Sequence, residues 1–235
     1  MDTYTPLDPK TLSPKEKKKA LSALFFITEK QDGSIKGRKC AVGSKQRTYK
    51  GYNKADGASP TVSTDGLIVT ATIDAHENRD VAIMDIPGAF LQAKNEENIL
   101  MLLRGTLAEM MVKIDPKIYR KHVFVGKKGE PMLYVRLNKA LYGLLKSALY
   151  WYKKLVGELK EMGFELNPYD PCVANKMING SQMTVTWHVD DLKVSHVESI
   201  EVTKFILSMA TIYGPIITVS RGPVHDYMGM DLDYS

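Results

Sequence analysis

The sequence predicts an α+β protein, an antiparallel sheet with helices on one face. Strand-like runs come in adjacent pairs joined at Asp32-Gly33 and Asn179-Gly180, steps that favour short hairpins. Helical runs, with apolar residues every three or four positions, fall between the pairs irregularly. They do not follow the strand–helix–strand alternation that builds a parallel sheet. A third observation bears on chemistry. Isolated acids interrupt two of the most strand-like segments: Asp85 in "DVAIMDI" and Asp190-Asp191 in "TVTWHVDDLKVSH".

In chain order, residues 12–24 read as a short charged helix with Ser13 as N-cap and Pro14 in the first turn. "FFITEK" and "GRKCAV" read as strands joined by Gln31-Asp32-Gly33-Ser34, and their rim is basic: Lys30, Lys36, Arg38 and Lys39. A Gly- and Pro-containing loop leads to a helix over 62–77. "DVAIMDI" reads as a buried strand ended by Pro87-Gly88, and "NILMLL" as another. Residues 105–121 hold one helix or two split at Asp115-Pro116, followed by a strand in "EPMLYVRLN". The clearest helix is "GLLKSALYWYKKLVGELKEMGF", with Leu144, Leu145, Ala148, Tyr152, Leu155, Leu159 and Met162 as its apolar stripe and Gly163 as its C-terminal stop. Strands over 172–178 and 182–189, a helix over 199–213 and a last strand pair complete the chain.

The 235 residues are 44% hydrophobic and 25% charged, an ordinary globular composition for one large domain or two lobes. No apolar run approaches the roughly 20 residues that cross a bilayer, and the N-terminus lacks the order of a secretory signal. Cys40 and Cys172 are the only cysteines. They exclude a disulfide framework and are expected as small buried side chains in a reducing, intracellular setting. Residues 1–50 carry 12 Lys/Arg against 5 Asp/Glu, and the remainder 20 against 22. A basic first part beside a slightly acidic rest suggests a polyanionic partner such as nucleic acid or a nucleotide.

Apolar and polar residues alternate up to Asp190-Asp191, and Leu192, Val194 and Val197 read as a returning strand, so the acids sit at a hairpin tip. An ordinary solvated turn is the bland reading of such a pair. If the Asp85 strand lies beside it in one sheet, Asp85 and Asp190 face the same point. Like carboxylates so close require a compensating cation. Oxygen donors of this type favour Mg²⁺, which also binds substrate phosphates.

The segments "DVAIMDIPGAFLQA", "LNKALYGLLKSALYWYKKL", "DPCVANK", "WHVDDL" and "HDYMGMDLDYS" occur in an order and spacing that resemble the reverse transcriptases of copia-type LTR retrotransposons, over about Phe25 to Asp233. The resemblance implies an RNA-directed DNA polymerase with right-hand architecture: fingers over 1–80, palm over 81–235, and residues 115–145 partly fingers. It implies catalytic acids at Asp85, Asp190 and Asp191, and two Mg²⁺ ions, with Mn²⁺ as a substitute, held by Asp85, Asp190 and the Ile86 carbonyl. Lys30 and Arg38 would hold the incoming triphosphate, with Lys36 and Lys39 beside them. Ala89, Phe90, Tyr142 and Gly143 would line the nucleotide pocket. Phe90 is a core aromatic on its own terms; by the resemblance it is a gate whose ring excludes a 2′-hydroxyl. His188, Tyr227, Met228 and Gly229 would form the primer grip. Partners would be an RNA or DNA template with primer, deoxynucleotides, and other Pol polyprotein domains. The setting would be cytoplasmic, including virus-like particles, with no membrane.

The sequence also departs from the family pattern. His188 stands where the family has Tyr, and its imidazole can still contact a primer backbone and gain charge near pH 6.5. Lys146-Ser147-Ala148-Leu149 replaces the usual Gln-Ala-Pro-Arg, removing an Arg and a helix-entry Pro. The sequence stops just after the primer-grip motif, so the expected architecture lacks a thumb, a connection and an RNase H domain. That favours a second reading, a nucleic-acid-binding remnant without catalysis. The retained acids, aromatic gate and triphosphate-facing cations favour the polymerase. A palm-fold nucleotidyl cyclase leaves Phe90 and Tyr227-Met228-Gly229 unexplained.

Overall fold

A computed structural model of the chain describes residues 2–29, 33–48, 53, 57–215 and 217–235. In chain order the elements are β1 (Tyr4–Leu7), α1 (Pro14–Lys19), β2 (Leu21–Glu29), β3 (Ile35–Ala41), α2 (Thr64–His76), β4 (Asp80–Asp85), α3 (Ala89–Gln92), β5 (Leu100–Arg104), α4 (Thr106–Ile114) and α5 (Pro116–Tyr119). They continue with β6 (Phe124–Val125), β7 (Pro131–Leu137), α6 (Ser147–Glu161), β8 (Glu165–Leu166), β9 (Val173–Ile178), β10 (Ser181–His188), β11 (Asp191–His196), α7 (Ser199–Tyr213), β12 (Thr218–Arg221), β13 (Val224–Tyr227) and β14 (Met230–Asp233).

The chain forms two compact units, each discontinuous in sequence. The first comprises Met1–Ala58 and Phe90–Tyr150, the second Ser59–Ala89 and Trp151–Ser235. These boundaries do not coincide with the expected division at residue 80. Helix α2 belongs with the second unit because its buried Asp74 pairs there with Lys193 of β11.

In the first unit, strands β1-β7-β5-β2-β3 form one sheet, with β6 also on β7. "NILMLL" is buried on both faces: Met101 and Leu103 pack with Leu133 and Val135, while Leu100 and Leu102 pack with Met132 and Tyr134. Such two-sided burial explains an unbroken apolar run. Strand β2 pairs with β5 in parallel only through Leu21 and Ser22, so the β2–β3 hairpin runs on beyond the sheet and exposes Phe25, Phe26 and Ile27. The helix expected over 12–24 ends at Lys19, because Leu21 is already fully buried in the sheet. Ser13 caps it as expected, in a reciprocal capping box with Glu16. Strand β1, not anticipated from the sequence, lies along β7.

In the second unit the sheet order is β12-β4-β11-β10-β9-β8, and β13-β14 form a separate hairpin. Strand alternation divides this sheet by chemistry. Ala82, Met84, Val185, Leu192 and Val194 are fully buried on one face, with Trp187 at 1% exposure. The other face carries Asp85, Thr186, His188, Asp191 and Lys193, as the register of β4, β11 and β10 requires. This second-unit sheet is antiparallel throughout, as expected; among the described residues the first unit adds a sheet of its own, in which β2 and β5 pair in parallel. The long helix starts at Ser147 rather than Gly143. Its deeply buried stripe runs through Ser147, Trp151, Leu155 and Leu159, while Ala148, Tyr152 and Met162 are half-buried. The stripe differs from the expected one because Trp151 rather than Tyr152 faces the core.

Candidate active site

The Asp190-Asp191 hairpin is as tight as a hairpin can be. His188 pairs with Asp191, leaving Val189 and Asp190 as a two-residue turn. Val189 has φ +60°. Positive φ at the first central position normally selects glycine, and for a β-branched residue it is a strained outlier. The Val189 carbonyl accepts a hydrogen bond from the Trp151 indole at 2.5 Å. The Asp190 carbonyl accepts one from the Ile86 N–H at 3.1 Å.

That bond ties β4 to the turn and fixes the register, in which Asp85 lies directly opposite Asp191. Ile86–Asp190 is thus a hydrogen-bonded pair and Asp85–Asp191 the adjacent non-bonded pair, whose side chains stand closer. All three acids are half-buried. Burial pushes the Asp191 carboxyl above the usual range, reinforced by the charges of Asp190 and Asp85; His188 opposes this, and Asp226 adds to it. Asp226 was not anticipated from the sequence, since only the second-unit tertiary fold brings β13 to Asp191.

Among the described residues, no Lys or Arg forms an ion pair with Asp190 or Asp191. Two residues further along the same face of β11, Lys193 is 1% exposed and pairs with Asp74, which also faces Arg79 at 3.8 Å. The donor set fits a hard divalent cation in charge and atom type. Among the described residues, no three His, Cys, Asp or Glu side chains lie close enough to hold an ion by themselves. The arrangement suits Mg²⁺ bound through one or two carboxylates, with the rest of its shell from water and substrate phosphate.

The hairpin β13–β14 turns at Met228 (φ +55°) and Gly229 (φ +74°), a pattern that matches the twist of the flanking strands. Tyr227 is 2% exposed and its hydroxyl donates to the Asp191 carbonyl at 3.2 Å. Its ring therefore anchors the hairpin from within; Met228 is half-buried and Gly229 is exposed.

The expected nucleotide-binding residues fall mostly in the first unit. Phe90 and Tyr142 rings meet at 4.5 Å between centroids, and the Arg38 guanidinium lies 5.8 Å from the Tyr142 ring. Strand alternation sends Lys39 to the opposite face, where its ammonium lies 4.3 Å from the Tyr4 ring and burial pulls its pKa down to about 8. The Tyr142 carbonyl accepts from the Ala41 N–H at 2.7 Å. Gly143, at φ +88°, passes so near β3 that an added Cβ would meet the Ala41 carbonyl at 2.1 Å. Lys146 pairs with Glu97 at 3.1 Å, and Ser147 binds both the N–H and the carbonyl of Leu141. These contacts replace the missing helix-entry proline. Ala89, in the second unit, is fully buried, backbone included. Lys30 lies outside the described residues.

The family described as reverse transcriptase (RNA-dependent DNA polymerase) matches residues 10–234. The chain belongs to that family. The retrovirus-related Pol polyprotein from transposon TNT 1-94 of Nicotiana tabacum is 26% identical over 183 residues, 75% of this chain and 12% of the polyprotein. The resemblance to copia-type retrotransposon reverse transcriptases is thereby borne out. Telomerase from Candida albicans, solved with a fragment of telomeric RNA, has a TM-score of 0.51 at 9% identity, covering 98% of this chain and 47% of its own. Apo telomerase from Candida tropicalis gives 0.53 at 11%, covering 99% and 50%. At these identities the likeness is one of fold, and it agrees with the right-hand polymerase fold expected for a reverse transcriptase.

Proposed function

We propose that this reverse transcriptase-family chain extends a primer 3′ end with deoxynucleotides on an RNA template, the second unit acting as palm and the first as fingers. The observation that carries the reading is the gathering of three acids at one end of a sheet, where Asp85 lies directly opposite Asp191 and the charges of both Asp85 and Asp190 reach it. Nothing about folding calls for opposed carboxylates, which destabilise a sheet; divalent-cation chemistry does. Mg²⁺, when bound, would neutralise the triphosphate and lower the pKa of the attacking 3′-hydroxyl.

The remaining work falls to the chain itself. Asp85 presents hard oxygen donors from the end of β4 and Asp190 from the adjoining turn, and the Ile86–Asp190 hydrogen bond ties the two together before substrate arrives. Arg38 offers a two-pronged grip for triphosphate oxygens and Lys30 a point charge. Phe90, braced by Tyr142, is the surface on which a 2′-hydroxyl would clash. The Met228-Gly229 turn, exposed at Gly229, and His188 would bear on the primer end.

The test is dTTP incorporation on poly(rA)/oligo(dT) with Mg²⁺ at low salt, beside an Asp190→Asn control. Incorporation that disappears in the control supports the reading. A silent chain that still shifts primer–template in a gel identifies a binding remnant, and silence without binding overturns both.

A further inference from the structure

A strained turn persists only where its surroundings over-determine it, and the Val189-Asp190 turn is strained at a branched residue. Two hydrogen bonds hold it. The Ile86 N–H comes from the neighbouring strand and secures the Asp190 carbonyl, beyond the strained peptide. The Trp151 indole comes from α6 and secures the Val189 carbonyl itself. A peptide unit is planar, so the Val189 carbonyl and the Asp190 N–H turn together. Fixing that carbonyl fixes the orientation in which the chain enters Asp190, and with it the direction of the carboxylate.

Trp151 is well placed to act as a rigid anchor. It is 1% exposed, its ring lies 5.4 Å from that of Tyr213 on α7, and it belongs to the buried stripe with Leu155 and Leu159. Its N–H is the only part of the side chain that needs a polar partner, and it finds one on the turn.

We propose that Trp151 is a positioning residue for Asp190: its indole N–H holds the Val189 peptide in the orientation that aims the carboxylate at the metal. This rests on the polymerase reading of the site. Trp151 touches neither substrate nor metal; it acts only through Val189.

The chain has two tryptophans, Trp151 and Trp187, and the buried Trp187 Nε1 has no hydrogen-bond partner among the described residues. A ¹H–¹⁵N spectrum of the whole chain therefore shows two indole signals, one shifted downfield by hydrogen bonding. The downfield signal should vanish in Trp151→Phe, which removes the N–H and keeps an aromatic ring, and should move in Val189→Gly. Mn²⁺ binding measured by electron paramagnetic resonance should weaken several-fold in Trp151→Phe. In the incorporation assay its kcat should fall about 10- to 100-fold, the scale of a misplacement near 1 Å, with KM for dTTP within twofold of wild type.

Glycine at 189 relaxes the turn whether or not the indole bond is made. Trp151→Phe/Val189→Gly should therefore be no worse than Val189→Gly alone, whereas independent effects would multiply. Wild-type Mn²⁺ affinity in Trp151→Phe, a multiplicative double variant, or two indole signals without the downfield shift would each overturn the proposal. The indole and Mn²⁺ measurements need no turnover. An inactive wild-type chain in which both behave as expected defeats the polymerase reading and leaves the positioning role standing.

Discussion

The surroundings of Asp191 disfavour its charged form. Burial and three neighbouring carboxylates, Asp190, Asp85 and Asp226, raise its pKa, so its charge works against the fold. Asp191→Asn should raise the unfolding free energy in EDTA by about 0.5–2 kcal/mol, the usual gain from relieving an active-site conflict, while removing incorporation; urea denaturation beside the activity assay checks both. The sign follows from linkage: a raised carboxyl pKa makes the folded state take up protons first, so this residue's penalty shrinks as pH falls toward the ordinary carboxylate range. Phe90 presents a different residue-scale expectation. Trimming the ring that packs 4.5 Å from Tyr142 should raise ribonucleotide use relative to deoxynucleotide at least about tenfold in Phe90→Ala, read as a ratio of kcat/KM values. The acids stood out in the sequence because each interrupts a strand pattern, whereas Phe90 reads there as a core aromatic and is a candidate gate only by the family resemblance. Trp151 did not stand out, since a tryptophan on a helix reads as core and its hydrogen bond joins residues 38 positions apart.

Between elements, the second unit depends on a buried ionic contact. Lys193 on β11 reaches Asp74 on α2, which also faces Arg79. Removing one member leaves charge uncompensated in the interior, so Lys193→Met should cost about 3–5 kcal/mol, and Lys193→Met/Asp74→Leu should recover part of it. Thermal or urea unfolding decides this. The β13–β14 hairpin contributes a pH dependence. His225 is 2% exposed, with the Gly222 backbone as its polar neighbour. Burial, aided by the Lys193 charge, holds its pKa below 6.5. Such a histidine must charge to follow the unfolded chain, so stability is full above about pH 6.5 and is lost on acidification toward the folded-state pKa. His225→Phe should flatten that decline between pH 7 and 5. The helices over 64–76 and 199–213 and the Asn179-Gly180 hairpin followed from local patterns. The shortened α1 and the unforeseen β1 did not, because each is decided by a sheet partner far away in sequence.

At the scale of the whole molecule, charge divides with the units. The first carries 24 Lys/Arg against 11 Asp/Glu, the second 8 against 16. Affinity for a single strand should therefore come from the first unit. Neutralising Lys36 and Arg38 together should lower the slope of log K against log salt by about 1.4, at roughly 0.7 per phosphate contact. Neutralising Lys153 and Lys160 of the second unit should leave the slope unchanged. Fluorescence anisotropy with a labelled oligonucleotide over a salt series measures both. The sequence tally over residues 1–50 understated this polarity, because chain order mixes the two units.

Strand alternation, turn chemistry and the ordered motifs are properties of neighbouring residues, so the sequence by itself determined the α+β class, most of the elements, the family and the candidate acids. Tertiary structure alone decided that Asp85 faces Asp191 rather than Asp190, that Tyr227 turns inward, that Lys39 leaves Arg38 for the opposite face, and that Trp151 holds the turn. Each depends on register or on a helix stripe, and a shift of one residue in either sends a side chain to the other face.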